Sequence, residues 1–255
     1  MKYFRLIGIM SLLVFSFYLT DFVTELAINT NPLMQTIKNN SKNYCETSVN
    51  ATIEQNTIIP GIKGKKVNEI ESFLNMKDFG SFNSNYLIYD YIKPDISIED
   101  NKEKIIISGN QNKRQISILI KDNISIEEYL KQKNIKYSKL IDINDKINKN
   151  ENINIESTKE GYKDLDTLLK KKKINKEICI INYSNIELCK KNKYYLVDPN
   201  IKLKNTSFIN ILNNIDNGSI ILIDDMLTIE NFKMFTNKIH NKDIKFVYLS
   251  EIIQE

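Results

Sequence analysis

The residue types best suited to chemistry stand directly after two apolar, β-branched runs of the sequence. Lys121 and Asp122 follow the first run, and Asp224 and Asp225 follow the penultimate one. Paired carboxylates in such a place could bind a cation or act as general acid and base. Aspartates after a strand are also ordinary turn and helix-capping residues, and this second interpretation is favoured.

A single histidine restricts the metal chemistry open to the chain. The sequence contains 1 His, His240, which excludes a two-histidine metal site within one chain. It also contains 3 Cys. His240 lies near the end of a predicted helix that begins after Thr228, so a helix-terminal or surface role is expected. The sequence has no phosphate-binding loop, no nucleophile elbow and no Cys/His metal spacing.

Composition bounds the class of protein without naming a function. The 255 residues suit one domain of about 100–200 residues and an appendage. With 36 Lys+Arg against 32 Asp+Glu, the net charge of +4 is too small and too evenly mixed for a nucleic-acid-binding protein. The 7 Gly and 4 Pro exclude collagen-like and proline-rich chains.

From residue 113 onward, apolar runs alternate with helical patterns. This alternation predicts a parallel sheet with helices outside, as either a barrel or an open sheet. In such folds sites gather at the C-terminal ends of the strands, where the residues above are found. Ser-x-x-Glu capping boxes predict helix starts at Ser125, Ser157 and Ser184. The residues expected in the core are Ile116, Ile118, Ile120, Ile221, Ile223, Phe246 and Leu249.

The first residues predict a membrane segment. Lys2 and Arg5 precede the uncharged stretch Leu6–Thr20, a pattern typical of a secretory signal or a signal anchor. Because no small-x-small cleavage site follows, an uncleaved anchor over residues 1–28 is favoured over a cleaved signal and over a buried N-terminal helix. The positive-inside rule then places the chain after Asp21 outside the cytoplasm, as a single-pass protein of the cell membrane.

The remainder divides into segments of different pattern. Residues 29–50 are polar and aperiodic, which predicts a juxtamembrane linker. Residues 51–112 favour strands and predict a small N-terminal β-rich element, while residues 113–255 form the main domain. Outside the cytoplasm cysteines can oxidise. Cys179 and Cys189 can pair or, as favoured here, pack as small hydrophobes, and Cys45 would remain unpaired.

Several segments match one known family. GSIILIDD at 218–225, an amphipathic helix and IKFVYLSEII at 244–253 follow the family's C-terminal pattern, and ISILIKDN at 116–123 stands where it has its first strand. YSKLIDI at 137–143 and NIELCKKNKYYLV at 185–197 fit later elements. The chain thus resembles the polysaccharide deacetylases, the NodB-type homology domain, over most of its length from about residue 51. The resemblance implies an α/β fold with a deacetylase-like (β/α) barrel, incomplete or distorted because roughly 200 residues are usual for a full barrel.

The resemblance also implies a site. Family members hold zinc or another divalent metal with one Asp and two His, and use a separate Asp as base to remove N-acetyl groups from envelope glycans. In this chain Lys121 stands at the base position, and Asp122 is the only retained ligand position. The expected His-x-x-x-His segment corresponds to Asn152–Thr158, which has no histidine.

The remaining motif positions are also altered. Asp224 replaces the family's catalytic His, Asp225 is retained, and the Arg-Pro-Pro-Tyr loop keeps at most Tyr183. No catalytic residue, metal site or cofactor is therefore predicted. The remnants expected in one cleft are Lys121, Asp122, Tyr183, Asp224 and Asp225.

These observations favour a membrane-anchored, extracytoplasmic, deacetylase-like protein without catalysis that binds or scaffolds at cell-envelope glycan. Its predicted partners are the membrane, through the N-terminal helix, and cell-wall glycan, with no nucleic acid. The alternative is a hydrolase that removes N-acetyl groups from polysaccharide or peptidoglycan with an altered, carboxylate-based metal site. A structural protein of unrelated α/β fold is a third interpretation.

Overall fold

The computed structural model describes residues 2–147, 149–156, 158–174, 177–181 and 185–255. Its helices are α1 Lys2–Thr30, α2 Pro32–Ser41, α3 Glu69–Met76, α4 Ile124–Gln132, α5 Lys159–Lys171, α6 Ile186–Lys191, α7 Phe208–Asn213, α8 Ile229–Asn241 and α9 Leu249–Ile252. Its strands are β1 Thr52–Glu54, β2 Thr57–Ile59, β3 Gly64–Val67, β4 Tyr89–Ile92, β5 Ile105–Ile106, β6 Gln115–Ile120, β7 Ser138–Ile141, β8 Glu151–Asn154, β9 Ile178–Ile180, β10 Tyr195–Val197, β11 Ile201–Leu203, β12 Ile220–Ile223 and β13 Lys245–Val247.

The chain forms two compact units that are not consecutive in sequence. The first contains Met1–Ser48 and Lys63–Ile92, and the second contains Val49–Ile62 and Lys93–Glu255. Strands β3 and β4 belong to the first unit, where they pair antiparallel with each other and where Lys65 of β3 also forms a β-bridge with Glu46. Strand β2 belongs to the second unit because it pairs in parallel with β5.

The first unit begins with a long apolar helix. Within α1, Met10–Thr30 is long and apolar enough to cross a membrane by length and composition. The helix is longer than the predicted stretch Leu6–Thr20, since it continues through Asp21 and Glu25.

Residues 29–50, expected as a polar linker, instead contain α2. Asn31 caps this helix by accepting a hydrogen bond from the Leu33 amide at 2.9 Å, and Pro32 occupies its first turn. Its apolar side packs into the core of the first unit, which explains why a mostly polar segment is helical. That core consists of Leu33, Met34, Ile37, Val67, Phe73, Met76 and Leu87.

Two sheets build the second unit. A six-stranded sheet has the order β11-β12-β6-β7-β8, with β13 pairing with β6, and every pair in it is parallel. A five-stranded sheet has the order β1-β2-β5-β10-β9, in which only β1 and β2 are antiparallel. The predicted α/β class with parallel strands is confirmed.

The alternation of side chains along β6 separates two apolar cores. Ile116, Ile118 and Ile120 pack in a cluster with residues of α4, α7 and α8, while Leu119 belongs to a second cluster. This second cluster takes residues from both sheets, including Ile106 of β5. The predicted core residues are buried, except that Phe246 is only partly so; the buried ones are Ile116, Ile118, Ile120, Ile221, Ile223 and Leu249.

Two cysteines of the second unit are bonded. Cys179 of β9 and Cys189 of α6 form a disulfide with an S–S distance of 2.05 Å. The favoured packing role was therefore wrong and the alternative of pairing is correct, because the strand and the following helix bring the two side chains together. Cys45 is free and exposed, as predicted.

Candidate functional site

An open cavity of about 430 Å³ lies at the C-terminal ends of the parallel strands in the second unit. Its floor is apolar and includes Leu140 and Ile180, which belong to the cluster shared by the two sheets, and Leu222, which packs against that cluster. Charged side chains surround this floor. They are Lys121, Lys202, Lys204, Asp224 and Asp225.

Lys121 follows β6 and lines the cavity. Its Nζ lies 3.2 Å from Oδ2 of Asp142. This hydrogen bond is the main reason why the pKa of the Lys121 ammonium is raised above its ordinary value, and the charges of Asp142, Asp122 and Asp225 add to the effect. The side chain is therefore a fixed cation at neutral pH.

Asp122 does not line the cavity and is exposed. Ile118 and Ile120, which alternate along β6 in step with Asp122, face the helix-covered cluster. Leu119, which is in step with Lys121, faces the cluster under the cavity. The strand alternation accounts for the separation of Asp122 from Lys121.

Asp224 and Asp225 meet Lys121 at the rim. The Asp224 amide donates to the Leu203 carbonyl at 3.1 Å, and its Oδ1 accepts a hydrogen bond from the Met226 amide at 3.0 Å. Asp224 thus forms the turn that the favoured interpretation expected. The Asp225 carboxylate is exposed at the cavity.

Asn123 ties the loop after β6 to the loop after β12. Its Nδ2 donates to the carbonyls of Asp225 and Leu227, each at 3.1 Å, and its Oδ1 accepts from the Ile126 amide at 3.2 Å. Asn123 therefore caps α4, and the predicted cap at Ser125 is wrong because the helix begins two residues earlier than that cap requires. The other predicted caps, Ser157 and Ser184, lie outside the described residues.

A buried ion pair supports Lys121 from the neighbouring strand. Lys139 donates hydrogen bonds to the Lys121 carbonyl and, at 3.1 Å, to Oε2 of Glu127. Both charged side chains are only 12% exposed. Glu127 also accepts from the Tyr137 hydroxyl at 2.9 Å and pairs with Lys131 at 2.7 Å.

The sequence analysis missed Lys202 and Lys204. Lys202 lies on β11 and Lys204 directly follows it, and both line the cavity. They alternate with Ile201, which packs against the helix-covered core, and Leu203, which lies within it. The signal was the short apolar-charged alternation of this segment, which is typical of a strand with one buried face.

The segment expected to carry metal ligands instead carries a hydrophobe. Ile155, within Asn152–Thr158, lines the cavity. His240 is exposed in the last turn of α8, as predicted, and Tyr183 lies outside the described residues. Across the described ranges, no three His, Cys, Asp or Glu side chains group as a metal-binding set. The residues present therefore do not fit the zinc site of the family.

Comparisons with known proteins address the fold. No family profile matches the sequence. The uncharacterized protein YlxY of Bacillus subtilis is 33% identical over 101 residues, which are 39% of this chain and 31% of that protein, so the match spans less than a third of the relative.

The crystal structure of a CE4 family pseudoenzyme from Bacillus anthracis aligns with a TM-score of 0.57 and 15% identity, over 88% of this chain and 95% of that one. A mutant of that pseudoenzyme with restored enzymatic activity aligns with a TM-score of 0.59 and 17% identity, over 88% and 98%. At these identities the likeness concerns the fold, which confirms the resemblance drawn from the sequence. The chain therefore has the deacetylase-like, NodB-type fold of the CE4 family.

Proposed function

We propose that this chain is a membrane-anchored, extracytoplasmic, deacetylase-like protein that binds cell-envelope glycan without hydrolysing it. The observation that carries the proposal is the cavity at the C-terminal strand ends, where Lys121 occupies the position of the family's base. A general base must accept a proton near neutral pH. Lys121 is protonated there because Asp142 stabilises its charge.

The side chains that line the cavity are also unsuited to metal-assisted hydrolysis. Zinc in proteins is held mainly by imidazole and thiolate ligands, and the cavity is lined by neither. Ile155 lines the cavity where histidines would be needed, and the ammonium of Lys121 would repel a cation at close range. One oxygen of Asp224 is already occupied by the Met226 amide.

The cavity is nevertheless suited to a sugar. Its volume of about 430 Å³ falls in the range of roughly 300–1,000 Å³ found for small-molecule sites. An apolar floor can pack against the C–H face of a pyranose ring, while charged rim groups can hydrogen-bond its hydroxyls. Binding therefore needs none of the groups that hydrolysis needs.

Two features support the proposed location in the membrane with the second unit outside the cytoplasm. The apolar part of α1 follows Lys2 and Arg5, which the positive-inside rule keeps in the cytoplasm. The Cys179–Cys189 disulfide suits an oxidising compartment. Membrane fractionation should leave the chain in the pellet after a carbonate wash, whereas a shortened soluble species starting near residue 28 would show a cleaved signal.

Catalysis is tested with the full chain in detergent. Metal analysis should show no stoichiometric zinc, and acetylated chitooligosaccharides and peptidoglycan should release no acetate in added zinc, cobalt or manganese. The adjacent Asp224 and Asp225 favour the alternative, a hydrolase with a carboxylate-based site. Turnover that is lost in Asp225→Ala would establish that alternative.

Glycan binding is tested with a matched pair of variants. Ile155→Glu places a charge on the apolar side of the cavity and should abolish binding of peptidoglycan fragments measured by calorimetry. Ile124→Glu is the control, because Ile124 is 75% exposed on α4 and does not line the cavity. Equal binding by both variants would contradict the proposed site.

A further inference from the structure

The cavity has a cationic side that the CE4-type motifs do not account for. Lys202 of β11 and Lys204, the extended residue directly after this strand, both line the cavity at the edge of the six-stranded sheet, while Ile201 and Leu203 pack toward the core. Residues two apart in a strand are separated by roughly 6.6 Å. The two ammonium groups can therefore reach the same acidic substituent or two neighbouring ones.

These two lysines differ from Lys121 in their partners. Lys121 is paired with Asp142 at 3.2 Å and is also attracted by Asp225. In the part of the chain that the structure describes, no carboxylate lies within ion-pair distance of Lys202 or Lys204. The positive charge of β11 at the cavity is thus left available to a ligand.

We infer that Lys202 and Lys204 form an anion-binding subsite at the cavity, so that the glycan bound there carries carboxylate groups. The inference rests on the proposed function and names the class of ligand. The apolar floor, with Leu140 and Leu222, takes a sugar ring, and the two ammonium groups bind its acidic substituent through charge-assisted hydrogen bonds.

The same charges disfavour the other occupants of such a cavity. A divalent cation bound by Asp224 and Asp225 would lie in a cavity that three lysines also line, which opposes its binding by Coulomb repulsion. A neutral glycan would leave Lys202 and Lys204 hydrated and without a contribution to affinity. An acidic glycan uses both the floor and the charges.

Two tetrasaccharides with the same backbone test the inference. One alternates N-acetylglucosamine with N-acetylmuramic acid and bears carboxylates; the other is chitotetraose, which lacks them. Calorimetry on the full chain in detergent should show about tenfold tighter binding of the acidic probe at low salt, with the difference decreasing as salt is added.

The variant Lys202→Met/Lys204→Met keeps most of each aliphatic stem and removes the charge. It should bind the acidic tetrasaccharide as weakly as chitotetraose, whereas Lys245→Met, an exposed lysine on β13 that does not line the cavity, should bind like the unaltered chain. An unchanged unfolding midpoint confirms the fold of each variant. If the double variant does not fold, Lys202→Gln and Lys204→Gln are measured singly, and each should weaken only the acidic probe.

The outcomes separate the inference from the proposed function. Equal affinity for both tetrasaccharides, unaltered in the lysine variants, overturns the anion subsite and leaves glycan binding in place. Binding of neither probe overturns both. Binding of a phosphate-bearing wall polymer without binding of the carboxylate probe overturns the assignment of a carboxylate.

Discussion

The side chain of Lys139 donates a hydrogen bond to the backbone carbonyl of Lys121. One buried cation thereby fixes the backbone of another that lines the cavity, and Glu127 compensates the charge of the first at 3.1 Å. The position of Lys121 is thus set by strand β7 as well as by β6.

Removing the supporting charge should destabilise the second unit. Lys139→Met leaves Glu127 buried with fewer partners, and the free energy of unfolding should fall by about 2–3 kcal/mol. Urea unfolding of the full chain in detergent measures this change. Lys133→Met, at an exposed position after α4, is the control and should change the free energy of unfolding by less than about 0.5 kcal/mol. Equal losses in the two variants would contradict a structural role for the pair.

The same cluster should make stability depend on pH. Burial alone would raise the pKa of Glu127, but hydrogen bonds from Lys131, Lys139 and Tyr137 outweigh it and hold that pKa below its ordinary value. A carboxyl with a lowered folded-state pKa stabilises the fold above its unfolded value of 4.5, and this stabilisation is lost as the pH falls through the lower folded-state pKa. Glu127→Gln should therefore flatten the dependence of unfolding free energy on pH below about 4.5. An unaltered slope would show that other carboxyls govern acid unfolding.

Substitution of Asn123 tests the hydrogen bonds that link the loop after β6 to the loop after β12. Asn123→Ala removes the helix cap and both donations to carbonyls, and should cost about 2–3 kcal/mol because the residue is only 6% exposed. Asn123→Asp keeps the capping oxygen and replaces the donor by a carboxylate oxygen, which the two carbonyls repel. It should retain α4 but increase hydrogen exchange around Asp225, whereas identical exchange in Asn123→Asp and the unaltered chain would refute the tie.

Two glycines with positive φ allow the cost of backbone strain to be compared with the cost of a steric clash. Gly218 has φ +83° and a Cβ there would lie 2.4 Å from the Gly109 carbonyl oxygen, whereas Gly80 has φ +64° with open space around it. Gly80→Ala should cost about 1 kcal/mol for the left-handed conformation alone. Gly218→Ala should cost clearly more, because the backbone of Gly109 must also move. Thermal unfolding of both variants measures the difference, and equal costs would contradict the contact.

The disulfide predicts the number of reactive thiols. Only Cys45 should react with a maleimide in the native chain without reductant, and three thiols should react after unfolding and reduction. Cys179→Ala/Cys189→Ala should lower the free energy of unfolding by about 2–3 kcal/mol, since the bond closes a short loop. Three native thiols on exported protein would show that the pair is reduced.

The sequence was informative where local pattern and tertiary structure agree. The alternation in Gln115–Ile120 and the run Ile220–Ile223 predicted parallel strands, and the residues after them, Lys121, Asp224 and Asp225, do meet at one cavity. The sequence did not show that Asp122 lies outside the cavity, because the pattern does not tell which face of β6 the helices cover and which face the cavity opens on.

Other elements depend on contacts distant in sequence. The pairing of β5 with β10 joins residues about ninety positions apart, and no local periodicity encodes it. Helix α2 exists because three apolar residues in a polar stretch find a partner surface on α3 and β3. Lys202 was overlooked because its alternation with Ile201 and Leu203 covers only three residues, which is too short a pattern to predict a strand by itself.

Only Asn31 separates the end of α1 from the start of α2, and hydrogen bonds link the last turn of α1 to α2. Lys38 donates to Oδ1 of Asn29 at 2.8 Å, and Gln35 donates to the Asn29 carbonyl at 2.6 Å. If α1 spans a bilayer, no flexible linker would separate it from α2. The core that α2 forms with α3 and β3 would then begin directly after the membrane-spanning helix.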